Sequence, residues 1–103
     1  MDLINYINLE EYKNLPLILG DKKSFRELYI KLKKIKFPVD SITRYYLYES
    51  NRWDLETIEK KIIKLPIKHY TISLQNFLNL SKNNNFDKYK IFDYRISNQL
   101  ILK

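Results

Sequence analysis

Apolar and polar positions fall into blocks along this chain, and each block has its own period. Residues 3–9, LINYINL, alternate weakly and predict a short strand. Residues 15–19 of LPLILG form an apolar run punctuated by Pro16 and Gly20, which predicts a buried strand. From Ser24 the period becomes helical. Phe25, Leu28, Leu32 and Ile35 share one face, Lys31, Lys33 and Lys34 lie on the other, and Pro38 ends the segment. Ser24 with Glu27 reads as a capping box, which would satisfy backbone N–H groups left free at the helix start.

Two strands follow. SITRYYLYES is β-branched and aromatic, and RWDLETI alternates: Trp53, Leu55 and Thr57 point one way, Arg52, Asp54 and Glu56 the other. Ser50 and Asn51 make the turn between them. A third strand, IIKL, is expected to return on RWDLETI through a loop at residues 59–61. That register sets Leu65 opposite Leu55, Ile63 opposite Thr57 and Lys64 opposite Glu56. HYTISLQNFLNLSK predicts a second helix with Tyr70, Leu74, Phe77, Leu78 and Ser81 on one side, followed by a loop at residues 83–85. A last hairpin is expected from residues 89–96 and 100–103, turning at Ser97, Asn98 and Gln99. Phe92, Tyr94, Ile96, Leu100 and Leu102 would share one face, with Asp93, Arg95, Ile101 and Lys103 on the other. The order is strand, helix, three strands, helix, two strands. It implies one α+β domain over residues 1–103, a largely antiparallel sheet with two helices packed on one face. Trp53 is expected on the helix-facing side, among Phe25, Leu28, Leu32, Leu55, Leu74 and Phe77.

Composition sharpens the picture. A chain of 103 residues suits one domain, and 45% hydrophobic residues supply a core. With 1 Gly and 3 Pro, the turns must be built from Asn, Asp, Ser and Lys. The formal charge of +7 suits nucleic acid, anionic lipid or an acidic protein partner, or is simply a lysine-rich solvated surface. No run approaches the ~20 apolar residues of a membrane span, and the acidic N-terminal stretch does not read as a signal peptide.

Catalytic chemistry finds little purchase. There is no Cys and a single His, His69, at a helix start, so thiolate and multi-histidine metal sites are excluded. One Gly cannot make a phosphate-cradling loop, and Glu10 and Glu11 are adjacent without other catalytic context. No catalytic residue, cofactor or metal is expected, and the chain reads as a non-enzyme. Tyr45, Tyr46 and Tyr48 beside Arg44 and Arg52 offer an alternative reading, a small basic nucleic-acid-binding protein that stacks bases on its sheet.

The motifs LPLILG, NRWDL, KLP and IFDYRISNQLILK, in that order, resemble the C-terminal β domain of the bacterial cell-division protein FtsQ (the FtsQ/DivIB family). The matches run through residues 15–20, residues 52–55, Leu65 and Pro66, Asp93 and Arg95, and residues 100–102. Asn51 stands where the family often has Arg, Tyr94 replaces its Leu, and residues 58–61 replace its Asn-Gly turn. The family's membrane helix and POTRA domain are missing, so the chain reads as a fragment or a shortened relative.

The resemblance implies a non-catalytic scaffold of the divisome, at the septum and on the periplasmic face of the inner membrane. Its partners would be FtsB-like and FtsL-like proteins, with no small-molecule substrate and no nucleic acid. This piece would be soluble, with membrane attachment only through the anchor of a full-length relative. Partner binding would fall to Arg52, Arg95, Ile96, Ser97, Asn98, Gln99, Leu100 and Ile101. Arg52 would meet a partner's acid, and the final strand would accept a partner strand on its backbone. An unpaired terminal strand is otherwise an aggregation hazard, unless shortness and charge protect it.

Overall fold

Among the described residues, six strands lie across one sheet in chain order. The computed structural model describes residues 16–103; the strand expected at residues 3–9, the pair Glu10 and Glu11, and Leu15 lie outside the described residues. The elements are β1 (Leu17–Leu19), α1 (Lys22–Lys34), β2 (Ile42–Leu47), β3 (Trp53–Thr57), β4 (Ile62–Lys64), α2 (Tyr70–Ser81), β5 (Ile91–Asp93) and β6 (Ile101–Leu102). Short 3-10 turns occupy Val39–Ser41 and Asn84–Phe86.

The sheet is mixed, which corrects the expectation of a largely antiparallel one. β1–β2 and β4–β5 are parallel, while β2–β3, β3–β4 and β5–β6 are antiparallel. Each helix is the crossover of one parallel pair, because a parallel neighbour is reached only by carrying the chain back along the sheet. The α+β class and the element order match the sequence reading.

Registers align one row across all six strands: Ile18, Tyr45, Leu55, Ile63, Phe92 and Leu102. The first five are buried and Leu102 packs against them. Phe25, Leu28 and Leu32 of α1 and Leu74 and Phe77 of α2 close the same core. Both helices therefore cover one face. Trp53 is buried as expected, with Phe25 and Tyr45 edge-on to it at 6.3 and 6.4 Å between ring centroids. Phe77 packs instead on Phe92, edge-on at 4.9 Å, in the α2 half of the core. A Cβ on Gly20 would lie 2.9 Å from both Leu47 Cβ and Trp53 Cη2, so the single glycine leaves room for the indole rather than serving a left-handed turn.

Local signals diverge from the sequence reading in several places. First, Asp21 rather than Ser24 caps α1, its Oδ1 accepting the Ser24 N–H at 2.8 Å, because the helix starts at Lys22, three residues before the start that a Ser24 cap implies. That bond holds the Asp21 carboxyl below its usual range. Before Pro38 is reached, the helix has closed on a left-handed Lys36. The Phe37 N–H bonds to Leu32 O and the Lys36 N–H to Lys33 O, with Phe37 buried beyond the turn.

Second, the β3–β4 loop is residues 58–60. Leu55 faces Ile63, and Lys64 faces Asp54 instead of Glu56, a slip of two positions from the expected register. An even slip leaves every side chain on its face, so periodicity could not detect it. Left-handed Lys60 closes the turn, and Thr57 Oγ1 accepts the Lys61 N–H. Third, β5 stops at Asp93. Ile96, expected on the core face, is 52% exposed, because the chain leaves the sheet after Tyr94. Ser81, expected with the apolar side of α2, is also exposed, its Oγ donating to the Leu78 carbonyl.

Candidate partner-binding edge

Among the described residues β6 pairs only with β5 and forms one margin of the sheet. Ile91 and Lys103 exchange both backbone bonds at 3.1 Å, and Ile101 stands in register with Asp93. In an antiparallel ladder, bonded and non-bonded pairs alternate. Ile101 and Lys103 therefore aim their N–H and C=O groups inward at β5, and Leu102 aims its own outward. The Leu102 side chain packs on the core while Ile101, 37% exposed, lies on the helix-free face, both as the sequence implied.

The segment leading into β6 is fixed by Asp93. Its carboxylate is buried and accepts three bonds from Arg95: the backbone N–H at 3.0 Å, Nε at 2.9 Å and Nη2 at 2.6 Å. The Arg95 side chain, and secondarily its N–H, hold Asp93 below the usual carboxylate range against the opposing effect of burial. Arg95 is thus already engaged, although its side chain remains 46% exposed. Beyond it Ile96, Ser97, Asn98 and Gln99 are exposed; the Gln99 N–H bonds to Ile96 O and Asn98 is left-handed. Leu100 is half-buried and packs on the core. The Tyr94 hydroxyl donates to Asn76 Oδ1 at 2.8 Å, tying this turn to α2, and burial pushes its phenol up.

Arg52 is not grouped with these residues. It precedes β3, which β4 and β5 separate from β6 in the sheet. It does point to the helix-free face, as its alternation with Trp53 required. Its guanidinium is paired, however: Nη1 to Asp54 Oδ1 at 2.5 Å, and stacked over the Tyr48 ring at 4.3 Å. The Tyr48 hydroxyl closes the triad on Asp54 Oδ2 at 2.9 Å. Burial, then the Asp54 carboxylate, raises the Tyr48 phenol. Only 14% of the Arg52 side chain is accessible, so it differs from the free cation expected for a partner's acid. Asp93 raises the Arg95 guanidinium above its ordinary value, with smaller contributions from Asp54 and Tyr48.

Sequence reasoning missed both clasps. Each is an Asp–Arg pair two residues apart on an extended segment, a spacing that puts both side chains on one face. It also missed Lys61, a buried lysine whose Nζ donates to the carbonyls of Phe86, Asp87 and Tyr89. The aromatic platform is only partly present. Tyr45 is buried, whereas Tyr46 and Tyr48 lie exposed with ring centroids 4.6 Å apart. His69 is exposed and left-handed at the α2 N-cap, where its side chain makes no capping bond.

Among the described residues no group of three or more His, Cys, Asp or Glu is placed to hold a metal ion. Nor is any helix there long and apolar enough to cross a membrane. A scan against protein-family models found no match for this chain, and a search of curated proteins found none.

Proposed function

We propose that this chain is a non-catalytic interaction domain of FtsQ type, which binds an FtsB-like partner, with an FtsL-like one alongside, by strand addition at β6. The observation that carries the reading is the β6 margin, a strand bonded on one side among the described residues, whose Leu102 N–H and C=O face away from β5. A partner strand there would draw affinity from the backbone and register from flanking side chains such as Ile101 and Arg95. The motif positions add support: Trp53 begins a strand, Leu65 and Pro66 follow β4, Asp93 and Arg95 bracket the end of β5, and Ile101 and Leu102 form β6. A divisome setting on the periplasmic face of the inner membrane follows from the same resemblance and belongs to this proposal.

The test is a titration of the chain with a peptide from the C-terminal region of the host's FtsB-like protein. Leu102→Pro removes the outward N–H while leaving the inward bonds of Ile101 and Lys103 in place, since Pro is tolerated at an edge whose N–H faces solvent. Binding should fall by at least about tenfold, consistent with the loss of roughly one or more net backbone hydrogen bonds plus a steric block. The melting temperature should stay near that of the native chain. Undiminished binding by Leu102→Pro would overturn strand addition at this edge.

A further inference from the structure

The outward surface of α1 carries a charge pattern that helix stability does not require. Lys22, Lys23, Arg26, Lys31, Lys33 and Lys34 lie along it, against the single acid Glu27. Lysines in the last turn complement the helix dipole, but Lys22 and Lys23 stand at its positive end, and no acid occupies the first turn. At about 100° per residue, Ile30 falls at the centre of the arc opposite Phe25, Leu28 and Leu32. Lys23, Arg26, Lys33 and Lys34 all lie within about 60° of it, as does Glu27, so four cations and one acid surround it. Ile30 is 57% exposed, and Ile72, on the outward side of neighbouring α2, is 66% exposed. Lys31 is turned aside, its Nζ 4.9 Å from the Tyr70 ring of α2.

An apolar crest ringed by cations fits a bilayer interface. There the isoleucine leaves water while the cations meet lipid phosphates. Nucleic acid is a poorer match, because the crest would stand where its phosphates need hydrogen-bond donors. We infer that the helix layer docks on an anionic lipid surface, with Ile30 at the point of insertion and Ile72 beside it. The docked orientation leaves the β6 margin and the helix-free face of the sheet clear. The inference is independent of the partner proposed for β6, and it adds a membrane contact made by the folded domain itself.

The experiment is co-sedimentation of the full chain with vesicles of phosphatidylcholine alone and of phosphatidylcholine mixed with phosphatidylglycerol. Partitioning is expected to the mixed vesicles only. Lys23→Glu with Lys34→Glu should lower it by at least about tenfold, and Ile30→Asn by about fivefold or more. All three positions are exposed, and the dipole cost of Lys34→Glu in the last turn is offset by the gain of Lys23→Glu in the first, so the melting temperature should stay near the native value. Lys88→Glu with Lys90→Glu makes the same change in net charge at the far end of β5 and should leave partitioning near the native level. The inference is overturned by any of four results: no sedimentation with mixed vesicles, equal binding to neutral ones, an equal loss in the Lys88 and Lys90 control, or indifference to Ile30→Asn. Binding to a random RNA oligonucleotide that exceeds vesicle binding and ignores Ile30→Asn would assign the face to nucleic acid instead.

Discussion

Lys61 Nζ donates to the Tyr89 carbonyl oxygen at 2.9 Å, across 28 residues of sequence. The same ammonium reaches Asp87 O at 3.2 Å and Phe86 O at 3.4 Å, and lies 5.3 Å from the centroid of the Phe92 ring. Three carbonyls use its three protons, so the segment entering β5 is fastened to the β3–β4 hairpin. Lys61→Met keeps the aliphatic stem and strands those oxygens. It should cost about 1.5–3 kcal/mol in chemical denaturation, the range for hydrogen bonds to a charged group. Lys61→Arg is not equivalent, because a planar fork cannot reproduce a three-way point contact.

Gly20 is expected to tolerate nothing larger. An added Cβ would sit 2.9 Å from the rim of Trp53, so Gly20→Ala must displace the indole or β1. The expected loss is about 1–3 kcal/mol, typical of an overpacked core. Trp53→Ala should cost roughly 3–5 kcal/mol. In the double variant the two losses should fall short of their sum, because the clash with the ring vanishes and only the one with Leu47 Cβ is left. Thermal or urea unfolding of the three variants checks both statements.

Arg52→Glu is expected to lower stability, by about 1–3 kcal/mol. Arg52 is mostly covered, and the change would leave Asp54 facing a like charge in place of its partner. The sequence reading assigned Arg52 to a partner's acid, and a cation free for that role could be replaced with little effect on the melting temperature. The Tyr48–Arg52–Asp54 triad removes that premise. Arg52→Lys should recover part of the loss, and a melting curve for each variant decides.

Acid should loosen the segment that leads into β6. The folded carboxyl of Asp93 titrates below its unfolded value, which lies near 3.9. A depressed carboxyl contributes stability above the unfolded value and loses it as pH falls through the folded one. Unfolding free energy should therefore decline below about pH 4. Asp93→Asn should be less stable at neutral pH and show a shallower decline in acid, measured by urea denaturation across that range. A variant curve parallel to the native one would remove Asp93 from the acid response.

What the chain disclosed before folding was its periods. The alternation of Trp53, Leu55 and Thr57 with Arg52, Asp54 and Glu56 assigned both faces of the central strand, and the α1 stripe assigned Phe25, Leu28 and Leu32 to the core. Pairing was less legible. Period says which way a side chain points, not which neighbour lies beside it, so the two parallel pairs were invisible and the β3–β4 register slipped by two. At the site, the run of β-formers at residues 100–102 disclosed a strand on the margin. The pairing of Arg95 with Asp93 and of Arg52 with Asp54 did not show, because a charge beside its counter-ion in sequence looks the same whether solvated or clasped.

The strand order also has a kinetic consequence. β2, β3 and β4 form a meander closed by two three-residue loops, with left-handed Asn51 and Lys60 at their ends. Those closures are local and carry a small entropy cost, whereas β1 and β5 must each wait for a crossover, over residues 20–41 and 65–90. The meander should form first, and β5 with β6 should join late. Amide exchange should then show the slowest protons in β3 and the fastest among the strands in β6. The margin offered to a partner would be the last part of the sheet to assemble and the first to open, so a bound strand would act as a brake on unfolding.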